Sequence, residues 1–315
     1  MTLLALLDRI GRHARPILPA GLVLVALLPS SGGRLAPLVP WLVGALIAMT
    51  FTRIDLRPLS RDLARPRRAL GLLAVLTLFQ PVLALVLSQA GHWLDLPQTV
   101  ILVLVVFAAA PPLSSAPALA LMLGYDATVA LRLMLAGTLL SPLMVPVSFW
   151  LADLPGSLPL EMALRTGAML AGGLILGLCA RKAIGRDRIA RQARALDGVA
   201  ALLMLAFLLP LVDGLAARIV AMPQLAALLA GLACLLNFGG NLLMRGTLGH
   251  RLPAPVAASF GLVFGNRNTS VILAAMPDPT IAFFVGLAQV PIYLTPALLG
   301  LYDRILARCS LSSES

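Results

Sequence analysis

One pattern runs the length of this chain: a stretch of about 20 apolar residues, a short polar connection, then another such stretch. Ten of them fall at about 16–32, 36–52, 69–89, 97–123, 127–151, 159–180, 198–217, 222–244, 254–277 and 280–303. A helix needs about 20 apolar residues to cross the hydrocarbon of a bilayer. Of the 315 residues, 60% are hydrophobic and 12% charged, against roughly 45–50% and about 25% in soluble domains. The expected fold class is an all-α membrane protein with ten transmembrane helices, so the lipid bilayer is its first partner. The spans leave no room for a separate soluble domain, and a single transmembrane domain over residues 1–315 is expected.

Two of the ten stretches are broken near the middle, at corresponding places in the two halves. The first break reads Ala110-Pro111-Pro112-Leu113-Ser114-Ser115-Ala116-Pro117 and the second Phe264-Gly265-Asn266-Arg267-Asn268-Thr269-Ser270. Hydrocarbon offers no water to a freed peptide group, so broken backbone survives there only inside protein or beside a cavity. A matched pair of interrupted spans points to a transporter's substrate site.

Each half holds five spans, residues 16–151 and 159–303. An odd number makes the second half enter the membrane inverted relative to the first. The fourth span of each half is broken. The fifth carries two prolines, Pro142 and Pro146 in one case, Pro291 and Pro296 in the other. Inverted repeats predict such echoes.

The net charge of +11 does not indicate nucleic acid, because the basic residues share no single face. Nineteen of the 24 lie at one end of the spans: Arg9, Arg12 and Arg15; Arg53, Arg57, Arg61, Arg65, Arg67 and Arg68; Arg181, Lys182, Arg186, Arg188, Arg191 and Arg194; Arg245 and Arg251; Arg304 and Arg308. Three, Arg34, Arg165 and Arg218, lie at the other end, and Arg132 and Arg267 are within spans. Cytoplasmic connections collect Lys and Arg, which places both termini in the cytoplasm. Trp41, Trp93 and Trp150 then fall near the outer boundary, where an indole buries its ring and wets its N–H. The arginines ahead of Ile17–Leu28 imitate a signal peptide. No A-x-A cleavage site follows, so this run is expected to stay as part of the first span. Cys179, Cys234 and Cys309 have no disulfide or metal spacing and are expected to be small core residues or bystanders. His13, His92 and His250 are isolated and expected in loops. No metal site and no cofactor are expected.

Three segments resemble the bile acid:sodium symporter family, and the likeness spans essentially the whole chain. The basic stretch Thr52-Arg53-Ile54-Asp55-Leu56-Arg57-Pro58 through Ala64-Arg65-Pro66-Arg67-Arg68 is similar to that family's connection between helices two and three. Ala110–Pro146, with its break, Gly124-Tyr125-Asp126 and Ser141-Pro142, is similar to helices four and five. Gly265-Asn266-Arg267-Asn268 followed by Ile272-Leu273-Ala274-Ala275 is similar to the second crossover. The resemblance implies two inverted five-helix repeats in a bacterial inner membrane. A panel of helices 1, 2, 6 and 7 would face a core in which broken helices four and nine cross. It implies organic-anion transport coupled to sodium.

The sodium ligands are where this chain departs from the pattern. By the resemblance, they fall on Leu76, Ala116, Pro117, Ala130, Met134, Val263 and Arg267, none of which has a side-chain oxygen. A one-residue slip would restore Ser115 or Thr77 but not the family's glutamate, since the one Glu in the spans is Glu161, at the edge of span six. The family's crossover asparagine is matched at Asn268.

Arg267 is the sharpest residue. A charged side chain at the bilayer centre costs about 2.5–3.5 kcal/mol on insertion scales and marks function by default. It has three readings: anchor of a substrate carboxylate or sulfonate through its planar fork, cap on the carbonyls of the preceding half-helix, or fixed replacement for a sodium ion. Ser114, Ser115, Thr269 and Ser270 flank the breaks where half-helices begin. They either contact an anion there, aided by free N–H groups, or cap their own helices. The expected substrate-binding set is Ser114, Ser115, Arg267, Asn268 and Thr269. Asn266 is expected as a brace, with Arg132, Asn237 and Gln289 as further cavity or brace positions. Arg132 is expected to snorkel, Asp126 to cap span five, and Asn237 with Asn241 and Gln80 to bond between helices.

No catalytic constellation appears, and the chain is not expected to be an enzyme. The reading is a secondary active or facilitated transporter of small organic anions working by alternating access. Its energy source is exchange, facilitated flow or a proton, with sodium held through backbone carbonyls as the remaining option. The alternative is a transport-inactive receptor or scaffold derived from the same family.

Overall fold

A computed structural model describes residues 3–28, 30–54, 60–61, 64–154 and 159–312, excepting the side chains of 14–16, 18–19, 68 and 306–312. Arg57 and the side chains of Arg15, Arg68, Arg308 and Cys309 therefore lie outside the described residues. The regular elements are all helical. In chain order they are α1 (Leu3–Arg12), α2 (Ala14–Ala26), α3 (Val39–Arg53), α4 (Pro66–Thr77), α5 (Leu83–Trp93), α6 (Gln98–Ala109), α7 (Ala116–Leu123), α8 (Ala127–Leu151), α9 (Pro159–Ile184), α10 (Arg186–Arg191), α11 (Ala193–Leu211), α12 (Leu215–Ala221), α13 (Pro223–Cys234), α14 (Gly240–Gly249), α15 (Ala254–Gly265), α16 (Ser270–Ala275) and α17 (Pro279–Ser312). A five-residue π turn joins α4 to α5 at Leu78–Val82, and another joins α13 to α14 at Leu235–Gly239.

Seven helical stretches are long and apolar enough to cross a membrane: Ala36–Arg53, Ala69–Trp93, Ala127–Leu151, Pro159–Ile184, Ala193–Ala221, Pro223–Gly249 and Pro279–Ile305. Three of the ten expected spans are not among them. The fourth and ninth are divided, as their sequences foretold, into α6 with α7 and α15 with α16. The first differs for another reason. Its helix starts earlier and turns at His13, leaving a charged α1 and an α2 of 13 residues, short of a full crossing.

The helices pack as two groups. In one, α3 lies on α9 and α11, while α1 and α2 lie on α11. Glycine permits close approach of α3 and α9: a Cβ at Gly177 would stand 2.5 Å from Ala48 O, and one at Gly173 2.8 Å from Gly44 O. In the other group, α8 contacts α4, α6, α7 and α15, and α13 packs on α17. The groups meet where α9 lies on α8 and where α16 lies on α3 and α9.

The two ends of the bundle are chemically distinct. At the basic end, Arg53 pairs with Asp197, and Arg181 donates to Thr52 O and Ile54 O. There too Arg245 pairs with Asp303 and bonds Tyr125 Oη, whose own hydroxyl donates to Asp303. Burial, with that bond to Asp303, raises the Tyr125 phenol above its usual range, so it stays a neutral donor. At the opposite end, the Asp213 carboxylate accepts from Ser30 Oγ, from Ser31 N and Oγ, and from Gly33 N. Trp41, Trp93 and Trp150 stand exposed at 79%, 87% and 66% on this end, as a membrane-interface belt requires. Cys179 and Cys234 are free thiols on exposed helix flanks rather than core residues. His92 falls in the last turn of α5, not in a loop.

A buried polar crossing of two interrupted helices

The site begins with backbone. Pro111 and Pro112 have no N–H to continue the ladder of α6, and the chain runs extended from Ala110. After Gly265 the second interruption opens at Asn266, also extended. The two unwound stretches meet. Leu113 N donates to Asn266 O at 2.9 Å, and Asn268 N donates to Pro111 O at 2.8 Å. Pro112 and Arg267 thus form an antiparallel bridge. The peptide groups released by one break are satisfied by the other, which answers the demand that a membrane interior places on them. Gly137 of α8 makes room: a Cβ there would lie 2.4 Å from Pro112 Cδ.

Arg267 fills the crossing and is 1% exposed. Its Nε donates to Phe264 O at 2.8 Å, Nη1 to Ala110 O at 3.2 Å and Nη2 to Phe79 O at 2.9 Å. Those carbonyls end α15, end α6 and belong to the first π turn. The guanidinium also lies 5.2 Å from the Phe264 ring centre and 5.9 Å from that of Phe79, within cation–π range. No carboxylate pairs with it among the described residues. Of its three sequence readings, the geometry matches the carbonyl cap. The charge remains, compensated only by peptide dipoles and ring faces.

A second buried cluster braces the break from behind. Asn237, in the second π turn, donates through Nδ2 to Gly265 O and to Asn266 Oδ1, both at 3.0 Å. Asn266 Nδ2 donates to Leu262 O, and Thr295 Oγ1 of α17 stands 3.0 Å from Asn266 Oδ1 and 3.1 Å from Asn237 Oδ1. The expectation that Asn266 and Asn237 brace the crossing describes this arrangement. Thr295 was not foreseen, since a threonine four residues after Pro291 looks like an ordinary helix position. Gln80 bonds between helices as expected, through Nε2 to Ala110 O at 3.3 Å.

The remaining site residues divide by exposure. Ser114, Ser115 and Asn268 are half-buried, and their side chains have no hydrogen-bond partner among the described residues. Ser115 precedes α7 without capping it, and Thr269 precedes α16 without capping it. Thr269 Oγ1 is buried and unpartnered. It borders a cavity of about 10 Å³, shared with Asn237, Gly265 and Arg267, which is room for about one water molecule. Gln289 bonds back to Val285 O of its own helix. Arg132 sits on α8, half-buried, beyond Asp126, whose carboxylate caps that helix through Thr128 N and Val129 N as expected. The described residues contain no group of three or more His, Cys, Asp or Glu able to hold a metal.

The fold and site define an integral membrane protein of all-α class with a polar crossing of interrupted helices. The chain matches no protein-family model and no curated protein.

Proposed function

We propose that the chain is a secondary or facilitated transporter of small organic anions, of the bile acid:sodium symporter type. It would work by alternating access with ten helices arranged as two inverted repeats, residues 16–151 and 159–303. The repeat is supported at three successive positions. The third helix of each half contains a π turn, the fourth is interrupted, and the fifth carries two prolines. In this reading α1–α3, α9 and α11 form the panel and the other long helices the core. Both termini face the cytoplasm of a bacterial inner membrane.

The observation that carries the proposal is the crossing itself. Three polar side chains without a hydrogen-bond partner among the described residues, Ser114, Ser115 and Asn268, flank the paired unwound segments, whose buried cation has no carboxylate partner among those residues. An uncompensated charge at that depth is a strong electrostatic incentive for an anionic guest. The serines and Asn268 supply the direct contacts, with Thr269 deeper. Arg267 supplies the field, with three of its five N–H donors already held by carbonyls. The same carbonyls are among the backbone oxygens through which sodium could be held. With a guanidinium bound to them, transport proceeds without sodium, either uncoupled or linked to protons.

A panel of organic carboxylates and sulfonates, added to the purified protein, tests this through thermal unfolding. One or more should raise the midpoint, and Asn268→Ala and Ser115→Ala should each reduce that rise without lowering the unliganded midpoint. A panel that leaves the midpoint unmoved, or rises that survive both substitutions, would remove the proposed site.

A further inference from the structure

A second charged concavity lies away from the crossing, at the basic end of the bundle. Its volume is about 350 Å³, and it is lined by Arg53, Arg181, Arg186, Ile189, Ala190 and Ala193. Arg53 closes α3, Arg181 lies in the last turn of α9, and the others belong to α10 and the start of α11. The local structure accounts for two of the three guanidinium groups. Arg53 is paired with Asp197, and Arg181 caps the end of α3 through Nη1 to Thr52 O at 3.3 Å and Ile54 O at 2.8 Å. Arg186 is exposed and makes no hydrogen bond or ion pair among the described residues. Three guanidinium groups therefore line this space, and among the described residues one carboxylate, that of Asp197, pairs with them.

Like charges held together cost free energy, and among the described residues Asp197 is the one carboxylate that pairs with any of the three. A guest with one or two negative charges would relieve the rest. The shape argues for phosphate chemistry, since guanidinium forks match phosphate oxygens in pairs. The depth argues for a lipid. Arg53 and Arg181 end two of the long apolar helices, Ala36–Arg53 and Pro159–Ile184, where the phosphate layer of a bilayer begins. The remaining lining residues, Ile189, Ala190 and Ala193, are apolar and suited to glycerol carbons. Basic pockets at the cytoplasmic ends of membrane helices take anionic headgroups.

We propose that this cavity binds a phosphate group, that of an anionic phospholipid in the leaflet facing the basic end. Occupancy would tie α3 to α9 and α11 without involving the crossing, so the proposal stands apart from what the protein transports.

The test uses the full-length protein in nanodiscs of phosphatidylcholine, with and without phosphatidylglycerol. Phosphatidylglycerol should raise the unfolding midpoint by a few degrees. Arg186→Gln should abolish most of that shift. Arg188→Gln, on the same short helix but not lining the cavity, should leave it nearly intact. A further arm adds inorganic phosphate to phosphatidylcholine discs: a rise that Arg186→Gln removes would support the site with a free anion as its guest. Equal losses from Arg186→Gln and Arg188→Gln would reduce the effect to diffuse surface charge and overturn the proposal. So would a midpoint insensitive to both phosphatidylglycerol and phosphate.

Discussion

Arg267 ties together carbonyls from three separate segments, of which Ala110 O also accepts from Gln80 Nε2. Removing it leaves the carbonyls of Phe79, Ala110 and Phe264 without this donor in a buried space, and each buried acceptor left unsatisfied costs about 1–3 kcal/mol. Arg267→Ala should therefore insert in the membrane but unfold at a markedly lower temperature, and should lose anion uptake. It should also gain something. Convergent carbonyls suit a monovalent cation, so sodium should partly restore the variant's midpoint while leaving the wild type unchanged. A variant as stable as wild type, or one indifferent to sodium, would show that the guanidinium is not a tethered cation. Arg267 itself was legible in the sequence, because a charge inside an apolar run has few innocent explanations. Its partners were not. Backbone carbonyls have no sequence signature, and Phe79 looks like any other apolar residue of a span.

At the scale of elements, the two interruptions were readable from paired prolines and from Gly-Asn-Arg-Asn. Their pairing with each other was not. It depends on long-range approach, which Gly137 permits by leaving space for Pro112. Gly137→Ala places a methyl 2.4 Å from Pro112 Cδ. Overpacking of this kind costs about 1–3 kcal/mol. The substitution should lower the unfolding midpoint and weaken anion binding together, since the crossing must shift to relieve it. Unchanged binding in Gly137→Ala would mean that the bridge does not position the site. The π turns also escaped the sequence reading, although Pro81 and the Gly239-Gly240 pair sit at them. Single-turn π segments often mark functional positions. Here one supplies Phe79 O and the other Asn237.

For the molecule as a whole, composition and hydropathy gave the class, and charge distribution gave two unlike ends. The first span was misjudged because an apolar count does not register where a helix begins or turns. The polar ties described at the basic end stay within one helix group, as in Arg53–Asp197 and Arg245–Tyr125–Asp303. At the opposite end the Asp213 network also stays within one group, but two further ties leave it: Arg165 Nη1 donates to Ala275 O at 3.2 Å, and Arg218 Nη1, on the continuation of α11, to Pro279 O at 3.3 Å. In the alternating-access cycle proposed above, this arrangement would be the state closed on the outer side, with the two arginines as its latch. Each such bond contributes about 0.5–1.5 kcal/mol. Arg165→Gln with Arg218→Gln should shift the balance outward by about tenfold. Labelling of Ser115→Cys by an impermeant thiol reagent from the outer side, with the three native cysteines replaced, would report it. Unaltered labelling would show that these bonds do not govern the opening.

The most direct test of the central claim is uptake of a stabilising organic anion into liposomes containing the purified protein, with sodium outside and then with potassium in its place. The account predicts saturable uptake above that of empty liposomes, equal in the two salts and lost in Arg267→Ala. Uptake no greater than in empty liposomes, or uptake that collapses when sodium is withdrawn, would contradict it.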